Sequence, residues 1–258
     1  MNLITAGFAW IFDPAHWSPS STSVGISEAL VNHLLLTGLS LLVTAVIALP
    51  VGLFIGHSGK GRGVAIIASN ISRAIPSLGL LTVLGLIIPD IRGIPTNLIA
   101  DVIVFVLLGI PSMLAGAYAG LESVDRETID AARAIGMTEW QILFTVEIPL
   151  GANLIVGGIR STTLQIVATV TIASFLGQLS LGTFLIDGLT QGNYVKMLGG
   201  AILVAALALL LDGLLAAIQR LVSPRGVSRG KTTARSNTAR GIRTTAATQG
   251  TPMMEGNR

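Results

Sequence analysis

The chain has 258 residues, of which 51% are hydrophobic and 11% charged, with a mean hydropathy of +0.76; that much apolar surface excludes an ordinary soluble domain and predicts an integral membrane protein. The absence of cysteine excludes disulfides and thiolate metal sites, and His16, His33 and His57 stand too far apart in the chain to read as a ligand cluster, so no metal is expected. The net charge of +3 belongs to the C-terminal end, where residues 221–258 carry seven Lys/Arg against one Glu; on a membrane protein such a tail marks the cytoplasmic face and meets anionic lipid, and no nucleic-acid partner is expected.

Residues 1–27 carry Trp10, Phe12 and Trp17 among prolines and serines, without a basic start or a cleavage signature. They read as an external, interfacial segment rather than a signal peptide. The first span is expected at about 29–56, uncharged from Leu34 to Ile55 and longer than the roughly 20 residues a bilayer requires. The short loop after it holds Lys60 and Arg62, a cytoplasmic signature that places the N-terminus outside. A second span, 64–89, contains Arg73 and Pro76 and should kink at the proline, which removes a backbone donor. PDIRGIPTN then forms an external turn, and the third span, 98–120, returns the chain to the cytoplasm.

Residues 122–149 hold six carboxylates (Glu122, Asp125, Glu127, Asp130, Glu139, Glu147) and two arginines, so this stretch must lie in water. Asp125 is placed to cap a helix with an acidic first turn, Arg133 in its last turn and Gly136 as its terminating residue. Thr138 and Gln141 have capping-box spacing for a second helix, on which Trp140 and Phe144 are one turn apart and which Pro149 is expected to stop. Ala131 and Ala132 leave one side of the first helix without bulk, and a partner's backbone is expected to dock there.

The apolar stretch 150–186 is 37 residues long, too many for one crossing; the fourth span is expected at 153–173, followed by an external glycine-rich turn with a short helix over 175–192. The fifth span, 194–219, ends in the cytoplasm. The tail from 223 to 258 has almost no large apolar residue and is expected to be disordered.

Asp130-Ala131-Ala132, Gly136 and Val146-Glu147-Ile148-Pro149 resemble, in spacing throughout, the E-A-A-x-x-x-G and I-x-L-P elements of the loop found in permeases of ABC importers. Ile75-Pro76-Ser77-Leu78 and the stretch from Val146 to Leu189, which includes the fourth span, are similar to permeases for osmoprotectants such as glycine betaine, carnitine and choline, with Arg73-Ala74 standing where that group has Gln-Thr. The resemblance covers about 28–222. It implies an all-α fold of the five-helix, type I importer kind (MetI-like), with the loop as a cytoplasmic coupling element to an ATPase. It implies, as partners, an ABC ATPase dimer, a second permease subunit, and an extracytoplasmic substrate-binding protein, in the cell membrane of a prokaryote. Asp130, Ala131, Ala132, Gly136, Val146, Ile148 and Pro149 are then the coupling residues.

Four ionisable residues lie in or beside spans, Arg73, Asp101, Arg160 and Asp212; Arg160 and Asp212 fall in the same half and are candidates to pair, the alternative being that each reaches the interface alone. Ser161, Gln165 and Thr169 recur every fourth residue in the fourth span, as pathway lining or as helix–helix glue, and Gly157 with Ser161 has small-residue spacing of the same kind. Gly59-Lys60 is followed by Gly61, so no phosphate-binding loop is present; no catalytic residue is expected, and ATP and Mg must be bound by a partner. Twelve aromatics spread over the chain outline no cage for a quaternary ammonium group. An amino-acid or sulfonate permease, and a stand-alone carrier or channel, are the alternatives, the last weakened because five spans do not divide into two equal repeats.

Overall fold

A computed structural model describes residues 2–20, 24–88 and 96–222, the side chains of 96 and 97 excepted. All regular structure among these residues is helical. The tail 223–258 and most of the turn expected at 89–97 lie outside the described residues.

Helix α1 (Leu3–Phe12) begins at Asn2, whose side chain accepts from the Ile4 N–H. It lies against the last helix through Trp10, which seats on the notch left by Gly199 and stacks on His16 with ring centres 4.6 Å apart. The expected interfacial aromatics therefore divide: Trp10 is a packing residue, while Phe12 is 77% exposed.

Helix α2 (Ile26–Ser58) is the first long apolar helix and ends at Gly59, which adopts φ +68°. Helices α3 (Arg62–Ala74) and α4 (Ser77–Ile87) are bent by 83° to one another at Ile75-Pro76, where the sequence places its kink. Proline has no N–H to continue the ladder, and it pushes the residue before it out of the helical region; Ile75 sits at φ −76°, ψ 125°. Helix α5 (Thr96–Glu122) follows. Helices α6 (Arg126–Ala134) and α7 (Glu139–Ile142) form a hairpin, and α7 runs through a π turn, Leu143–Glu147, into α8 (Ile148–Ala173). A short α9 (Gly182–Thr190) and the long α10 (Tyr194–Val222) complete the chain.

Four of these segments are long and apolar enough to cross a membrane, and counting the bent α3–α4 pair as one crossing gives five. The helical run Glu139–Leu176 has 38 residues, which at 1.5 Å per residue is about 57 Å, nearly twice the hydrocarbon thickness. One end must therefore stand clear of the lipid, and it is the end that carries the charged hairpin.

Helices α2, α5 and α8 are the centre of the bundle. Leu36, Leu81, Val104, Phe105 and Ile166 pack at the end away from the hairpin; Ala48, Ile55, Met113 and Leu114 form a middle layer; Leu121, Leu143 and Ile155 form a layer at the hairpin end. Gly116 and Gly120 on α5 meet Gly158 and Gly151 on α8, and a Cβ built at Gly158 would stand 2.7 Å from the Gly116 Cα. Only hydrogen fits there, and the resulting backbone approach maximises dispersion contact where no hydrophobic force separates helix from lipid. Outward faces of α2 (Leu35, Leu42, Val46) and α10 (Leu209, Leu210, Leu214) stay exposed, as hydrocarbon-solvated helices require.

Candidate functional site

The hairpin is built from local chemistry and closed by charge. The Asp125 carboxylate accepts from the Glu127 N–H at 3.0 Å and starts α6. Gly136 at φ +88° ends it: its N–H donates to the Arg133 carbonyl at 2.9 Å and the Met137 N–H to the Ala132 carbonyl at 3.2 Å. This pair of bonds is a Schellman turn, which a residue in the left-handed region closes most cheaply when it is glycine. The Thr138 hydroxyl and Gln141 side chain then make a complete capping box at the start of α7. Val124, Ile129, Ala132 and Ile142, with Met137 and Val146 against them, form a small core of the hairpin's own.

Charge fixes the corner. Arg133 donates to Glu139 through Nε at 2.8 Å and a terminal nitrogen at 3.1 Å, and to Asp130 at 3.1 Å. The Glu139 carboxylate beside it holds the Arg133 guanidinium above its ordinary range, so the bridge between the two helices persists at any physiological pH.

Two expectations need correction here. Pro149 does not stop the second helix. Thr145 to Pro149 would be an interior i−4 pair, but the π turn at Leu143–Glu147 intervenes, with the Ile148 N–H reaching back five residues to the Leu143 carbonyl. Pro149 thereby falls at the opening of α8, where a missing N–H is tolerated, and the helix continues. Nor is the alanine pair a single docking face: Ala131 is exposed, but Ala132 is 7% exposed and packs in the hairpin core. Of the remaining motif residues, Asp130, Gly136 and Pro149 are exposed, and Val146 and Ile148 are half-buried. Ile135, Trp140 and Phe144 add exposed apolar surface to the hairpin, and the last two stack with ring centres 6.0 Å apart.

A second group of contacts reaches across the chain. Glu147, inside the π turn, is 1% exposed, and its Oε2 lies 2.5 Å from His57 Nδ1 at the end of α2. His57 Nε2 is 3.4 Å from Glu139 Oε2. Asp130, Arg133, Glu139, His57 and Glu147 thus form a continuous line of polar contacts through α6, α7, α2 and the π turn. Sequence reasoning passed over His57; the signal was a histidine in the last turn of a span, beside a loop with six carboxylates.

The candidate residues within the bundle fall in different places. Arg160 and Asp212 meet as a bidentate pair, at 2.5 and 2.6 Å, joining α8 to α10. Arg73 is exposed at the end of α3 and donates to the Ser112 hydroxyl at 3.4 Å. Asp101 is fully buried near the start of α5. The Ser161, Gln165 and Thr169 stripe divides: Ser161 and Gln165 are exposed, but Thr169 is buried and its hydroxyl donates to the Gln165 carbonyl at 2.7 Å. Steps of four residues turn 400° around a helix, so each step drifts about 40° and three positions do not share one narrow face. The close helix contact uses Gly158 rather than Gly157, whose added Cβ would meet only the Gln219 side chain at 3.3 Å. The Gly116-x-x-x-Gly120 spacing in α5 was the sequence signal for that contact.

The carnitine transport permease protein OpuCD of Listeria monocytogenes serotype 1/2a (strain 10403S) is 32% identical over 200 residues, covering 77% of this chain and 87% of that protein. The glycine betaine/carnitine/choline transport system permease protein OpuCB of Bacillus subtilis (strain 168) is 30% identical over 196 residues, covering 76% of this chain and 88% of that protein. Among solved structures, an inward-facing conformation of the MetNI methionine ABC transporter superposes with a TM-score of 0.66 at 25% identity, over 77% of this chain and 96% of that one. Residues 48–225 match the family described as binding-protein-dependent transport system inner membrane component, so a membrane bundle with a charged helical hairpin at one end has its explanation: the chain belongs to that family, the permeases of ATP-driven importers.

Proposed function

We propose that this permease forms the translocation path for a compatible solute, a small quaternary ammonium compound or zwitterion such as glycine betaine, choline, carnitine or proline. The observation that carries the substrate class is the pair of relatives at 30% identity or more, both permeases for such solutes and both matched over most of their length. Among the described residues the polar groups buried within the spans are mainly hydroxyls, with His33 and Asp101 the ionisable ones, and Arg160 and Asp212 neutralise each other. No aromatic cage is outlined, so selection falls to the binding protein and the permease supplies a gated passage.

In this reading the hairpin lies in the cytoplasm, the N-terminus outside and the C-terminal tail 223–258 inside, since Lys60, Arg62, Arg126, Arg133 and Arg220 gather on the hairpin's side. A second permease subunit, a copy or a paralogue, completes the pathway, because alternating access needs two halves that rock against each other. A dimer of ATPase subunits binds ATP and Mg and docks on the hairpin. The permease itself has no enzymatic activity. Ser161 and Gln165, exposed on α8, face the pathway or the second subunit, and Arg73 lies at the break between α3 and α4.

The test is uptake of labelled betaine, choline, carnitine and proline by the reconstituted importer, with and without ATP. Saturable, ATP-dependent uptake of one of the first three is expected. Uptake of none of these four, with methionine taken up when it is supplied instead, would overturn the substrate class and favour the reading suggested by the structural neighbour, a methionine transporter.

A further inference from the structure

We propose that His57 is a positioning residue that makes the end of α2 and the hairpin one rigid body, so that a displacement imposed on the hairpin by the ATPase reaches the first span through a single imidazole. The inference rests on the reading of the hairpin as the coupling element. It begins from what His57 joins. The ring sits in the last turn of α2, with 20% of its side chain exposed, and each ring nitrogen faces a carboxylate oxygen of a different segment: Glu147 of the π turn at 2.5 Å and Glu139 of α7 at 3.4 Å. Glu139 is itself held by Arg133, so the line of contacts runs without a break from α6 to α2. The two ends of the His57–Glu147 contact are 90 residues apart in the chain, which makes it a tertiary tie and not a local cap.

Leu49 and Leu53 pack against the layer formed by Leu121, Leu143 and Ile155, but toward the outer side an apolar groove of about 730 Å³ lies among Val46, Phe54, Trp140 and Phe144, with His57 and Glu139 also lining it. The aromatic pair of the hairpin therefore does not grip α2. The π turn has a part in this: its extra residue per turn rotates Glu147 inward, where the carboxylate is buried and must have a polar partner. The hairpin, by contrast, does not need His57 to hold its own shape, since its Schellman turn, capping box, small core and Arg133–Glu139 bridge are internal. A change at His57 should thus cut the transmission and spare the docking surface.

The chain has no cysteine, which allows a clean test. The complete importer would be reconstituted with His57→Leu, and separately with the double variant His57→Cys/Glu147→Cys, with each single cysteine variant as a control for reaction with partner thiols. Subunit association, ATP turnover and solute uptake are measured together. His57→Leu and the unmodified double variant are expected to keep association and ATP turnover while uptake per ATP falls severalfold. A short bifunctional thiol reagent joining the two cysteines is expected to restore uptake per ATP in the double variant alone, because it replaces the tie. Normal coupling in His57→Leu would overturn the proposal. So would a cross-link that blocks uptake, which would mean that α2 and the hairpin must separate, or one that leaves it low. If His57→Leu fails to insert, the comparison before and after cross-linking in the same double variant decides alone. Gly136→Leu run in parallel separates the two levels: should it uncouple while His57→Leu does not, only the strut is wrong, and should neither affect coupling, the hairpin itself is not the coupling element.

Discussion

Replacement of Gly136 tests the hairpin most directly, because the structure separates the two effects a side chain there would have. The residue adopts φ +88°, a conformation that costs an L-residue roughly 1–2 kcal/mol, and a Cβ added to it meets nothing within 4 Å. Within the chain the substitution therefore costs only backbone strain, equivalent to about a 5–30-fold loss in the population of the closed hairpin. Gly136→Ala carries that strain and almost no bulk. Gly136→Asn carries less strain, since asparagine visits the left-handed region more readily than other residues. Gly136→Leu carries the strain and adds a side chain projecting into open space, on the surface proposed to receive the ATPase. The expected order of damage to ATPase association and to uptake per ATP is accordingly Asn, Ala, Leu, with membrane insertion unchanged in all three because the spans do not rest on this loop. Association is read by co-purification of the subunits, and coupling by ATP turnover and uptake in the same proteoliposomes. If Gly136→Leu keeps association, turnover and uptake at the wild-type level, the hairpin is not the coupling element and the argument fails.

Three further outcomes follow from the packing. Ala132→Arg should impair association, but through the hairpin core, in which Ala132 is 7% exposed against Ile129 and Ile142; proteolysis of the loop should quicken in step, and a loop as resistant as wild type would contradict this. Gly158→Leu would drive a side chain into the Gly116 backbone at 2.7 Å and should lose more than the roughly 1–3 kcal/mol usual for overpacking, seen as loss of folded protein in membranes, whereas Gly157→Ala should be tolerated. Asp212→Leu strands the Arg160 guanidinium between α8 and α10 and should lower the yield of inserted protein, while Arg160→Leu with Asp212→Leu should recover it; a double variant worse than the single would show that the pair does more than neutralise itself.

The features legible in the sequence were those whose physics is complete within a few residues. Asp125 two residues before Glu127, Thr138 three before Gln141, a glycine after an arginine-ended helix, and a proline in an apolar run each specify a local backbone event whatever surrounds them. Composition and the length of the apolar runs likewise dictated a membrane bundle, because lipid leaves a backbone no choice but the helix. Pro149 shows where local reasoning ended: a proline stops a helix unless the preceding turn widens, and the widening is stabilised by burial of Leu143 and Glu147 against other elements. Direction was decided the same way. Ala131 and Ala132 are equivalent as letters, but they point 100° apart on a helix, and only the packing of α7 against α6 determines which of them is covered. Ser161, Gln165 and Thr169 separate for a related reason, since which face of α8 is covered depends on the helices packed against it. The contact between His57 and Glu147, 90 residues apart, and the glycine seam between α5 and α8 depend on the register in which these helices pack. Register is set by the sum of many small contacts over the whole bundle, so it exists only once the helices have come together.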